Sequence, residues 1–128
     1  MAVLLKRRSS AGKKVEDTKI ADETVSALKV VTATSQTNLK LADKSSFTDA
    51  QSLGVSISSG NMGEKIKFVS FGQIDDSSFN FPLKEPLFLG DNGLITATPP
   101  TTGFVTTVGY SLGLGSIFVD IEEPIELC

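Results

Sequence analysis

The chain has 128 residues, 40 % of them hydrophobic and 21 % charged, with eleven glycines, one cysteine and neither histidine nor tryptophan. That is the size and texture of one globular domain with a modest core. Without histidine, the commonest general acid–base group and metal ligand is missing, and a Ser–His or Cys–His pair cannot be built. The lone Cys128 excludes an intrachain disulfide and permits folding in a reducing cytoplasm.

The net charge of −3 hides a division. Residues 1–14 carry Lys6, Arg7, Arg8, Lys13 and Lys14 with no acid, which is +5; the remaining seven bases and fifteen acids give −8. A basic tail on an acidic body is implied. The opening Met1-Ala2-Val3-Leu4-Leu5 puts its apolar residues before its charges, the reverse of a secretory signal. No window approaches the eighteen apolar residues of a membrane helix, so a soluble protein made inside a cell is expected.

Residues 1–26 contain no aromatic residue and no proline, so an extended N-terminal arm is expected there, with a short helix conceivable over residues 22–28. From residue 27 onward the pattern is β. ALKVVTAT is rich in β-branched residues, and NLKLAD and SLGVSIS alternate apolar with polar. KIKFVSFGQI alternates at Ile66 and Phe68 and then loses phase at Val69 and Phe71, which predicts a bulge or burial on both faces. Phe79 and Phe81 alternate before Pro82, as in an edge strand. Leu87–Leu89 and Leu94–Thr98 flank Asp91, Asn92 and Gly93, a hairpin-turn signal because Asn and Gly tolerate positive φ. Phe104–Leu112 and Ile117–Ile121 alternate again, with Gly113 and Gly115 between them. Short strands with turns between them predict an all-β fold: an antiparallel β-sandwich or small barrel over residues 27–128.

Candidate chemistry is sparse. Asp75-Asp76, followed by two serines, reads as a polar turn. Glu122 and Glu123 are adjacent at a strand end and point to opposite faces. Gly109, Gly113 and Gly115 lie between β segments and open no helix, so no phosphate loop is implied, and Asp91-Asn92-Gly93 lacks the downstream carboxylates of a calcium loop. No enzyme activity, cofactor or metal is expected. The segment Leu4, Leu5, Lys6, Arg7, Arg8, Lys13 and Lys14 suits a tether to an acidic or lattice surface better than a nucleic-acid site, since no aromatics interleave the charges. Apolar residues on both faces, Phe118 opposite Ile117 and Val119, predict an oligomer, with Phe79, Phe81 and Phe118 as candidate interface residues.

The stretch FNFPLKEPLFLGDNGLITATPPTTGFVTTVGYSLGLGSIFVDIEEPIEL resembles the β module of tailed-phage virion proteins: capsid decoration (cement) proteins, head fibres and fibre collars. The opening LLKRRSSAGKK is similar to the starts of phage fibre and head-appendage proteins. The resemblance implies a homotrimer without enzyme activity on the outer capsid surface, assembled in the host cytoplasm. Its partner would be the major capsid protein, with neither membrane nor nucleic acid bound. A cement role is the first expectation. The alternative is a head-fibre or tail-fibre attachment module, or one that binds a host glycan, although Tyr110 is the only tyrosine available for a sugar platform.

Overall fold

The structure is a computed structural model that describes residues 14–127. Eleven strands follow one another along the chain. The first five are β1 (Val15–Ala21), β2 (Val30–Ala33), β3 (Asn38–Leu41), β4 (Gly54–Ser56) and β5 (Lys65–Asp75). After them come β6 (Pro86–Leu89), β7 (Ile95–Thr96), β8 (Phe104–Val105), β9 (Thr107–Ser111), β10 (Ser116–Asp120) and β11 (Ile125–Glu126). A single helical turn, α1 (Phe47–Ala50), lies between β3 and β4. It is too short for a helical period to show in the sequence, and it is held by Ser46, whose side chain accepts from the Asp49 N–H at its N-cap.

The nine-stranded sheet runs β1-β3-β2-β4-β5-β10-β9-β6-β7, and β1 also pairs with β5. That extra pairing closes the first five strands into a barrel and leaves β10, β9, β6 and β7 as an open antiparallel extension. β8 and β11 form a separate two-stranded ribbon. One pair departs from the expected antiparallel fold: β1 and β3 are parallel, with Ile20 opposite Asn38 and Ala21 opposite Leu39.

Two apolar cores result. Ala21, Val25, Val31, Leu39, Ile66 and Phe68 fill the barrel. Val30, Val55 and Val69 point out of the same barrel wall and meet Ile74, Leu87, Leu89, Ile95, Val108, Ile117 and Val119 in the larger core. Neighbours such as Val30 and Val31 serve opposite cores because successive strand residues face opposite ways. Each such aliphatic side chain stabilises the fold by about 1.5–3 kcal/mol on full burial.

The phase change expected in β5 is a bulge. Val15 pairs with Phe71 but Glu16 with Val69, so Ser70 is the extra residue. It leaves Val69 and Ile74 in the larger core while Phe71 turns outward. A similar shift in β9, where Leu87 faces Gly109 and Phe88 faces Thr107, turns Tyr110 outward although Val108 is buried.

Several boundaries differ from the sequence expectation. Residues 15–21 are a sheet strand rather than the end of an arm, and residues 22–28 form turns around a Val25–Gly60 bridge rather than a helix. Phe79 and Phe81 lie on the connection between β5 and β6 and form no strand. Ser111 Oγ donates to the Phe81 carbonyl at 3.1 Å and fixes that connection against β9. The return strand after the hairpin is shortened to Ile95–Thr96.

Candidate docking face

The side of the open extension that faces away from the larger core carries an apolar row. Val15 and Phe71 are paired across β1 and β5 and so share a face. Phe71 meets Phe118 edge-on at 5.2 Å between ring centroids, and Phe118 stacks on its direct partner Tyr110 at 5.4 Å. Tyr110 in turn pairs with Pro86 on β6. The row thus crosses five adjacent strands. None of these residues belongs to either core. Val15 and Tyr110 are 51 % and 39 % exposed, and Phe71 and Phe118 are half-buried.

Acidic groups border the row. Asp120 is opposite Phe71 and Asp75 is opposite Ser116. The Asp75 carboxylate accepts from Ser116 Oγ at 2.6 Å and from Gln73 Nε2 at 2.8 Å, and these bonds hold its pKa below the usual carboxylate range. Lys14 lies near the same edge, 3.7 Å from Glu16.

The residues singled out from the sequence fall in different places. Leu4, Leu5, Lys6, Arg7, Arg8 and Lys13 lie outside the described residues. Phe118 is central to the aromatic row. Phe79, proposed with it as an interface residue, is instead buried in the larger core, where no neighbouring subunit could reach it; Phe81 packs half-buried against that core. Asn92 (φ 52°) and Gly93 (φ 77°) both adopt positive φ between β6 and β7, and the Leu94 N–H donates to the Asp91 carbonyl at 3.1 Å. The Asn92 N–H donates to Asp43 at 3.0 Å, which ties the hairpin tip to the loop after β3. Phe71, Tyr110, Val15 and Pro86 were not identified from the sequence as a surface. Glu122 and Glu123 border an open groove with Gln51 and Ser52, where nothing orients them as an acid–base pair. Among the described residues, no three His, Cys, Asp or Glu side chains cluster as metal ligands, and no helix is long and apolar enough to cross a membrane.

No protein-family model matches the chain, and no curated protein matches it. Among solved structures, the N base of the head fibre protein gp8.5 of bacteriophage phi29 superposes with a TM-score of 0.52. The match covers 84 % of this chain and 94 % of that one at 15 % sequence identity. The fold resembles a phage head-fibre base. The likeness spans most of both chains. The protein it resembles is a head-fibre one, the kind that the sequence reading held as the alternative to a cement protein.

Proposed function

We propose that this chain is a structural, non-enzymatic virion protein of a tailed phage, seated on the outer capsid as the base of a head fibre. Its partners are the major capsid protein and further copies of itself in a homotrimer. The observation that carries this reading is the near-complete two-way coverage by the phi29 head-fibre base. The composition agrees with it: a β surface rich in serine and threonine supports docking on a lattice, where many weak contacts add up.

Cosedimentation with matched empty capsids, together with capsid melting, tests the reading. A fibre base binds at a fixed set of capsid positions and leaves the capsid melting temperature unchanged. Saturable binding that raises the melting temperature would indicate cementing instead, and no binding would reject a capsid seat. Mass photometry of the free protein should show a trimer; a persistent monomer would remove the homotrimer.

A further inference from the structure

We infer that Asn92 is a site of spontaneous deamidation that the native hairpin holds closed, so that the modification accumulates only when the β6–β7 tip lifts off the barrel. This concerns the chain itself and does not rest on a capsid seat.

The chain has four asparagines, Asn38, Asn61, Asn80 and Asn92, followed by Leu39, Met62, Phe81 and Gly93. Asparagine is a chemically labile residue. Only at Asn92 does the next residue lack a side chain to crowd the approach of its nitrogen. Base takes the proton of the Gly93 N–H, and that nitrogen attacks the side-chain amide carbon of Asn92. One C–N bond forms, the amide's own C–N bond breaks, and ammonia leaves a five-membered succinimide. One water then opens the ring at either carbonyl, giving aspartate or isoaspartate. Asn92 is exposed, so water and base reach it.

The native backbone stands against the first step. Ring closure needs the Asn92 Cβ and the Gly93 nitrogen on the same side of the Asn92 Cα–C bond. At φ 52° and ψ 47° the tetrahedral Cα puts them almost opposite one another. Bringing them together turns the Asn92–Gly93 peptide over, and the tip is held against that. Gly93 is buried against β2, so closely that a Cβ would lie 2.7 Å from the Val30 carbonyl oxygen, and the Asn92 N–H donates to Asp43 at 3.0 Å. Reaction therefore waits for a local opening, and its rate is the free-chain rate multiplied by the open fraction. The isoaspartate product does not return to the same seat. It carries the main chain through its side-chain carbon, one methylene longer, in a tip without spare room. It also sets a new carboxylate next to Asp91, on a residue whose N–H is bound to Asp43.

Peptide mapping by mass spectrometry reads the amide-to-acid change at each asparagine, and an isoaspartyl methyltransferase assay counts the isoaspartate. At mildly alkaline pH the folded full chain should deamidate at Asn92 at least about tenfold more slowly than the same chain in denaturing urea. Asp43→Ala, with its fold checked by circular dichroism, should raise the folded rate and leave the urea rate unchanged; the wild-type comparison stands without it. Chain aged in urea and returned to buffer should yield a more acidic fraction on anion exchange, and its isoaspartate form should melt below the unmodified chain. Equal wild-type rates folded and unfolded would overturn the inference, since the tip would then give no protection. Modification in urea at Asn38, Asn61 or Asn80 ahead of Asn92 would remove the site. An isoaspartate form that melts with the unmodified chain would show that the tip accepts the product.

Discussion

Replacing Gly93 by alanine tests whether the β6–β7 hairpin is braced against the barrel. Gly93 has φ +77°, and a Cβ there would sit 2.7 Å from the Val30 carbonyl oxygen and 3.2 Å from both Leu41 Cδ2 and Lys29 Cβ. Two costs therefore add. Holding a residue with a Cβ in the left-handed region costs about 1–2 kcal/mol. Forcing the turn and β2 apart costs about another 1–3 kcal/mol, as for overpacking elsewhere. Gly63 supplies the control, because at φ +89° it has no atom within 4 Å of its would-be Cβ. Gly63→Ala should cost only the first term. In urea titrations followed by circular dichroism, Gly93→Ala should lose about 2–5 kcal/mol and Gly63→Ala about 1–2 kcal/mol. In melting temperature, that is a drop of roughly 8–20 °C against roughly 4–8 °C for a chain of this size. Equal losses at the two positions would refute the reasoning, since the hairpin would then not rest on β2 at all. Gly93→Val should be worse than the alanine variant, because a β-branched side chain tolerates positive φ still less.

Adjacent residues of β10 should respond in opposite ways. Ile117→Ala, in the larger core, should cost about 2–4 kcal/mol, whereas Phe118→Ala should lose only its two ring contacts, about 1–2 kcal/mol; the reverse order in chemical denaturation would misplace the faces. Ser46→Ala should lower stability by about 1 kcal/mol through the lost cap on α1, and an unchanged urea midpoint would show that α1 is held by packing instead. Asp22, Asp75 and Asp76 have lowered pKa values, through hydrogen bonds from Thr34 and Asn38, from Ser116 and Gln73, and from Ser78 respectively. A folded pKa below the unfolded one contributes stability above the unfolded value, about 3.9, that is lost as pH falls through the folded value. The urea midpoint should therefore stay level from neutral to about pH 5 and decline below about pH 4; a midpoint that rises on acidification would contradict these hydrogen bonds.

The strands legible in the sequence are those with one buried face. Ile117 and Val119 alternate with Phe118 and Asp120 in the structure as they do in the sequence, because β10 keeps a single register along its length. β1 was illegible for the opposite reason. Apart from Ala21 its side chains are exposed or half-exposed, and backbone pairing on both edges holds it, so no hydrophobic period marks it. The outward aromatics were hidden by the bulges at Ser70 and beside Gly109, whose positions depend on the partner strand's register rather than on local sequence. Phe79 shows the converse error. Its alternation with Phe81 mimics a strand, yet the chain there is a loop whose aromatic side chain fills the core from outside the sheet.

The closure of the barrel through β1 and β5 bears on how such a protein behaves in a crowd. Exposed strand edges invite pairing between molecules, and the risk grows with local concentration. Closure removes the edges from five strands at once. Past the barrel, the nine-stranded sheet ends at β7, which is two residues long and is followed three residues later by Pro99 and Pro100. A prolyl nitrogen carries no hydrogen to donate, so a neighbour's strand finds a short template that stops almost where it starts. A protein built in this way can be held side by side in many copies without its sheets joining.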